Sequence, residues 1–308
     1  MELADRIEKL KKERNAVILA HNYQVPAVQD IADYVGDSLG LSIEAAKTGA
    51  DVIVFCGVHF MAETAKILSP EKVVLLPDER AGCPMADMIT AEQLRSLKEK
   101  HSGAAVLCYV NTSAEVKAEC DLCCTSANAV SMVRDALNDE RDIIFVPDRH
   151  LADYVASETG KALIPWNGYC PTHAKILPED IMREKADHPD ALVIAHPECT
   201  RAVRSLADLV VSTGGMCRTA RETEAEEIIV ATEIGILHRL KKENPENDFY
   251  PASRHAVCPN MKYTSLEKIL WSLEEMVHEV DIDADVSIKA RRSIERMLSA
   301  EERKNGVI

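Results

Sequence analysis

Ala16-Val17-Ile18-Leu19-Ala20-His21-Asn22-Tyr23 is a five-residue apolar run that ends in a polar triplet, and the chain carries this pattern three times. Ala104-Ala105-Val106-Leu107-Cys108 leads to Tyr109-Val110-Asn111, and Ala191-Leu192-Val193-Ile194-Ala195 leads to His196-Pro197-Glu198, at offsets of 88 and 87 residues. The same spacing recurs one segment later, where residues 32–38 align with 120–126 and 207–213, each stretch ending in a hydroxyl: Ser38, Ser126 or Thr213. A third apolar run follows in each unit, at 51–55, 142–146 and 227–230. Each unit then closes on a cysteine, Cys83, Cys170 or Cys258, spaced 87 and 88 residues apart. Independent landmarks that agree within a residue identify a triplicated unit.

The apolar runs are short and rich in Val and Ile, as in strands buried on both faces, and helix-like stretches such as 41–47 and 62–68 lie between them. Strand–helix alternation predicts an α/β fold: three pseudo-threefold-related αβα domains with short parallel sheets around a central cavity. The expected boundaries are 1–86, 87–173 and 174–263, with linkers at 86–100 and 175–189. Leu3, Ile7 and Leu10 predict an N-terminal amphipathic helix outside the repeats. Helices are also expected over 265–276 and along the stripe Val286, Ala290, Ile294 and Met297, with the segment 264–308 packed on the first domain.

The chain of 308 residues is 46% hydrophobic and 28% charged, a globular composition. Its 51 acidic residues against 36 basic ones give a net charge of −15, which argues against nucleic-acid or anionic-membrane partners. The charged start Met1-Glu2-Leu3-Ala4-Asp5-Arg6 lacks a signal-peptide pattern, and no apolar run reaches the roughly 20 residues that span a bilayer. A cytoplasmic protein is expected, in which ten cysteines serve metal binding, catalysis or packing rather than disulfides.

In parallel α/β units the chemistry gathers at the carboxyl ends of the strands. The repeat therefore sends His21 and Tyr23, Tyr109 and Asn111, and His196 and Glu198 toward one cavity. Ser38, Ser126 and Thr213 join them at turns that lead into helices, where a hydroxyl and free N–H groups cradle an anion. The cysteines divide by register. Cys108, Cys120, Cys123 and Cys124 replace small apolar residues of the other units and are expected to pack. Cys56, Cys199 and Cys217 have no counterparts in the repeat and are undecided, with packing favoured. Cys83, Cys170 and Cys258 recur in Gly- and Pro-rich loops and suit a metal site with one open position. A zinc ion and a [4Fe–4S] cluster both satisfy that spacing. His173 has an undecided role, and the histidines at 59, 101, 150, 188, 238, 255 and 278 fall outside the pattern.

The segments Ala20-His21-Asn22-Tyr23-Gln24, Gly36-Asp37-Ser38, Tyr109-Val110-Asn111, Thr125-Ser126-Ala127-Asn128, His196-Pro197-Glu198-Cys199 and Ser212-Thr213-Gly214-Gly215-Met216, with the three cysteines, resemble the quinolinate synthase family over essentially the whole chain. Here Cys258-Pro259-Asn260-Met261 offers a single cysteine, whereas some bacterial members carry extra ones near the third ligand. The resemblance implies one [4Fe–4S] cluster per chain, held by Cys83, Cys170 and Cys258 with one iron open. It implies condensation of iminoaspartate (iminosuccinate) with dihydroxyacetone phosphate to give quinolinate, phosphate and two waters, as a step of NAD biosynthesis. His21, Ser38, Tyr109, Val110, Asn111, Ser126, His196, Pro197, Glu198 and Thr213 would contact the iminoaspartate or product. Glu198, Tyr23, His196, Tyr109 and His21 are the candidates for proton transfer. An aspartate oxidase or dehydrogenase that supplies the imine is a candidate transient partner. Glu198, the only carboxylate among the three equivalent positions, is expected to have a raised pKa in a cavity that binds anions. Two rival readings are a zinc-thiolate hydrolase and a non-catalytic Fe–S dicarboxylate sensor.

Overall fold

The computed structural model describes residues 2–137 and 141–304; Met1 and residues 305–308 of the expected C-terminal segment lie outside it. It contains three four-stranded sheets. Strands β1 (Ala16–His21), β2 (Tyr34–Gly36), β3 (Val52–Cys56) and β4 (Val73–Leu75) form the first, in the order β2-β1-β3-β4. Strands β5 (Ala105–Tyr109), β6 (Leu122–Cys124), β7 (Ile143–Val146) and β8 (Ile164–Pro165) form the second in the equivalent order. Strands β9 (Leu192–Ala195), β10 (Leu209–Val210), β11 (Glu227–Ala231) and β12 (Asp248–Pro251) repeat it a third time. All pairings within the sheets are parallel, and helices flank them, as the α/β reading expects.

The three sheets agree in register. Leu19 pairs with Tyr34, Leu107 with Leu122, and Ile194 with Leu209. Ala20 pairs with Cys56, Cys108 with Val146, and Ala195 with Ala231. An aspartate before each second strand clamps the first: Asp33, Asp121 and Asp208 accept the backbone N–H of Ile18, Val106 and Val193 at 2.7, 2.8 and 2.8 Å. Each clamp fixes the crossover beside the strand whose end carries a polar triplet.

Two expectations about the flanking segments change. The segments read as linkers contain ten-residue helices, Ala91–Lys100 and Pro178–Asp187, which occupy the place of the N-terminal helix Leu3–Glu13 before β5, β9 and β1. The first of them starts on a capping box between Thr90 and Gln93, and the second on Pro178 in the first turn. The N-terminal helix therefore belongs to the repeat. The fourth strands, two to four residues long, are too short to show a period in the sequence.

The C-terminal segment divides between two units. Helix Leu266–Glu275, capped by Ser265, packs on the N-terminal helix and β3, burying Ile269, Leu270 and Leu273 with Ile7, Ile18 and Val54. Helix Ala284–Lys304 instead lies mainly against the second unit, on β6 and helix Ala114–Ala118. Its Ser293 Oγ donates to the Lys117 carbonyl at 3.0 Å and accepts from the Cys123 thiol at 3.3 Å. The outer face of the first unit is already covered by the shorter helix, so the apolar stripe of the last helix closes the second.

Candidate active site

Strand order reverses between β1 and β3, between β5 and β7, and between β9 and β11, which leaves a crevice at the carboxyl ends of each pair. The three crevices open into one cavity. His21, Tyr23, Ser38, Tyr109, Asn111, Ser126, His196, Glu198 and Thr213 line it, together with Cys83, Cys170 and Cys258. Val110 and Pro197 separate lining residues without joining the wall. Asp37, Gly82, Thr125, Thr172, His173 and an apolar side made of Val58, Phe60, Met61, Met85 and Met261 complete it, and among the described lining residues there is no Lys or Arg.

Each cysteine loop is held the same way. The N–H groups of His59, Arg149 and Ile234, just past the third strands, donate to the carbonyls of Ala81, Gly168 and Ala256 at 2.7, 2.9 and 3.0 Å. Each acceptor stands two residues before its cysteine. A short 3₁₀ turn follows each cysteine, at Ala86–Met88, His173–Lys175 and Asn260–Lys262. Burial pushes the Cys83 thiol up to about 12 and raises Cys170 and Cys258 as well, so a metal must displace their protons.

The three sulfurs share the cavity but do not all come within 4.8 Å of one another; among the described residues, the set that does is Cys170, His173 and Glu198. A single tetrahedral zinc would bring its thiolates to about 3.8 Å, given bonds of about 2.3 Å. Wider separation and one cysteine per unit are compatible with a multi-iron cluster. In the closer set, His173 Nδ1 itself bridges to Glu198 Oε2 at 2.8 Å and to Cys170 Sγ at 3.1 Å. Those are hydrogen-bond distances, so His173 links Glu198 and Cys170 in a hydrogen-bonded triad as the side chains stand.

The imidazoles at the ends of β1 and β9 are matched. Tyr23 N–H donates to His21 Nδ1 at 3.2 Å, and Glu198 N–H donates to His196 Nδ1 at 3.3 Å. Burial drives both rings down to about 3, so they are neutral and carry their proton on Nε2. His196 Nε2 gives it to Ser126 Oγ at 3.2 Å.

Glu198 departs from expectation. Burial works to raise its pKa, but the His173 ring, with help from His196 and the Tyr109 hydroxyl at 2.5 Å, outweighs that and holds it below the usual carboxylate range. Neighbouring donors, absent from the sequence argument, reverse the sign. His173 is the residue left undecided by sequence. It is fully buried, stacks on His196 with ring centroids 4.7 Å apart, and its Nε2 lies 2.8 Å from Thr232 Oγ1. Thr232 contacts the Tyr23 hydroxyl at 2.6 Å. Its position three residues after Cys170 was the available signal; Thr232 gave none.

The other cysteines lie off the cavity. Cys108, Cys123 and Cys124 are buried in the second sheet; Cys108 Sγ lies 3.0 Å from Thr112 Oγ1, and the Cys120 thiol donates to the Val116 carbonyl at 3.0 Å. Cys56, Cys199 and Cys217 are buried as well.

Three pseudo-equivalent α/β units that bring buried imidazoles, a glutamate, strand-end hydroxyls and three thiols into one cavity are the architecture of an enzyme. The family described as quinolinate synthetase A protein matches residues 5–299, and the chain belongs to that family. It is 55% identical over 296 residues to the quinolinate synthase of Dehalococcoides mccartyi strain CBDB1, covering 96% of this chain and 97% of that one. It is also 55% identical over 302 residues to the quinolinate synthase of Methanosarcina barkeri, with 98% and 99% covered. A third relative, from Geobacter metallireducens, is 55% identical over 297 residues, with 96% and 97% covered.

Proposed function

We propose that this enzyme condenses iminoaspartate with dihydroxyacetone phosphate to form quinolinate, releasing phosphate and two waters. The observation that carries the reading is the convergence of three thiols, one per unit, with neutral imidazoles and an ionised glutamate in one buried cavity. Two carboxylates and a phosphate need donors. His21, the hydroxyls of Ser38, Ser126 and Thr213, and the Asn111 amide would supply them, without a Lys or Arg among the described lining residues. The turns opening helices Ser38–Lys47 and Thr213–Glu222 add N-terminal N–H groups.

Cys83, Cys170 and Cys258 would hold a [4Fe–4S] cluster. When bound, it supplies a Lewis-acidic iron with an open position, suited to helping a hydroxyl leave. Glu198, with Tyr109 on one oxygen and His173 on the other, would accept a proton. Tyr23, linked through Thr232 to His173, offers a second hydroxyl for proton movement during isomerisation and ring closure.

The proposed setting is the cytoplasm, with small-molecule substrates and a transient aspartate oxidase or dehydrogenase as the imine source. No described helix is long and apolar enough to cross a membrane. The test is anaerobic purification followed by turnover with both substrates. A brown protein that contains iron and sulfide and forms quinolinate supports the reading. A colourless zinc protein would favour a hydrolase, and a cluster-bearing protein that forms no quinolinate would favour a sensor.

A further inference from the structure

Asn22 follows β1 at the seam between the first and third units, fully buried, and no role follows from the site as described so far. Its backbone is pinned: the N–H donates to the Gly36 carbonyl at 3.0 Å, and its own carbonyl accepts from Gln29 Nε2 at 3.2 Å. Its side chain joins two groups of the third unit. Arg239 Nη1, from helix Ile236–Glu243, donates to Asn22 Oδ1 at 2.9 Å, and Asn22 Nδ2 donates to Thr213 Oγ1 at 3.0 Å. Arg239 is itself fixed by the Val35 carbonyl at 2.6 Å and the Glu243 carboxylate at 2.6 Å.

We propose that Asn22 and Arg239 are positioning residues that set the polarity of the Thr213 hydroxyl, making it a donor into the cavity. A guanidinium has donors only, so the Asn22 oxygen must face it and the amide nitrogen must face Thr213. That nitrogen in turn can only donate. It occupies a lone pair of Thr213 Oγ1 and leaves the hydroxyl proton to point elsewhere, onto an anionic group of the ligand. The same logic operates at Ser126, whose oxygen receives the Nε2 proton of His196. Two hydroxyls from two units are thus committed as donors before ligand arrives, and a buried, pre-oriented donor contributes more than one that must first turn. The inference rests on the reading of Thr213 as an anion contact.

The isosteric change Asn22→Asp separates polarity from architecture. The aspartate keeps its contact with Arg239, now as an ion pair, but presents an acceptor to Thr213, whose proton turns away from the cavity. The measurement is quinolinate binding to the cluster-loaded, anaerobic protein by calorimetry, with thermal unfolding alongside. Asn22→Asp should bind roughly 10- to 100-fold more weakly, the worth of one hydrogen bond to a charged group, at an undiminished melting temperature. In a Thr213→Val background the same change should cost less than about threefold, because no proton remains to be redirected. Arg239→Met, which frees the amide to flip, should weaken binding and raise KM with kcat little changed; Arg239→Lys, again donor-only, should restore it. Equal losses from Asn22→Asp in both backgrounds would reduce the effect to added charge and overturn the inference. So would normal binding by Asn22→Asp where Thr213→Val binds weakly. Normal binding by Thr213→Val itself would instead remove the anion contact, and with it the reading beneath.

Discussion

His173 Nδ1 lies 2.8 Å from Glu198 Oε2, and both groups are almost completely buried. The pairing keeps the glutamate ionised where burial alone would protonate it. Glu198 is thus ready to receive a proton or to face developing positive charge, rather than to act first as an acid. Glu198→Gln should lower turnover by about 10²–10⁴-fold, the usual contribution of general acid–base catalysis, with iron content and quinolinate binding retained. Because the carboxylate is held below its ordinary range and His21 and His196 are near 3, none of the three titrates between pH 5 and 8. Anaerobic kinetics should therefore show a smaller kcat in the variant throughout that window. Turnover within about threefold of wild type would move the proton transfer to Tyr23 or another group.

The cysteines make a second test. On the proposed reading, Cys83→Ser, Cys170→Ser and Cys258→Ser should each fail to hold a stable cluster after anaerobic reconstitution, since each would remove a thiolate ligand. Cys123→Ala and Cys124→Ala remove sulfurs that lie buried in the second sheet, and should keep iron, sulfide and most activity at some cost in stability. Iron loss confined to the Cys123 or Cys124 variants would place the ligands elsewhere.

Asp148, buried behind the wall and outside the lining set, provides a pH test. It caps helix Arg149–Thr159 through Oδ1, which accepts from His150 and Leu151 N–H at 2.7 and 3.1 Å, while its buried Oδ2 has no partner. Burial, and then the nearby Glu198 charge, raise it to about 8. The folded protein therefore keeps a proton that the unfolded chain releases near pH 4. The stability this contributes is complete below that value and is lost as pH rises toward 8. Asp148→Asn keeps the cap and cannot ionise. Its stability relative to wild type should grow with pH, reaching roughly 1–3 kcal/mol by pH 8–9. A pH-independent difference in denaturation midpoints would contradict the buried protonated carboxyl.

The last helix gives a packing test. Ile294 is fully buried beneath it, whereas Ile288 is 56% exposed. Ile294→Ala should cost about 2–5 kcal/mol, and Ile288→Ala almost nothing. Hydrogen exchange in the first variant should rise first around β6 and helix Ala114–Ala118. A rise confined to the first unit would contradict the placement of the helix.

Much of this was legible because repetition turns weak signals into strong ones. A triplet such as His21-Asn22-Tyr23 means little alone, but its recurrence located three strand ends and hence the cavity. The strands β4 and β8 were too short to register, and helices Ala91–Lys100 and Pro178–Asp187 hid in segments whose polar faces read as linkers. The His173–Glu198 pair was not legible for a different reason. Its partners come from loops of the second and third units, and the direction of the glutamate shift depends on a distance that sequence spacing does not contain. Thr232 and Arg239 act through side chains that meet only when the third unit closes on the first.

The latched loops have a mechanical consequence. A centre bound to Cys83, Cys170 and Cys258 would be a three-way cross-link, closing loops of 87 and 88 residues along the chain. Cross-links spanning loops of this length restrict the unfolded chain by roughly 4–5 kcal/mol each in the chain-entropy picture. The metal centre would thus fasten the three units to one another as well as serve the reaction. Losing such a centre would remove these cross-links and free the three units from one another.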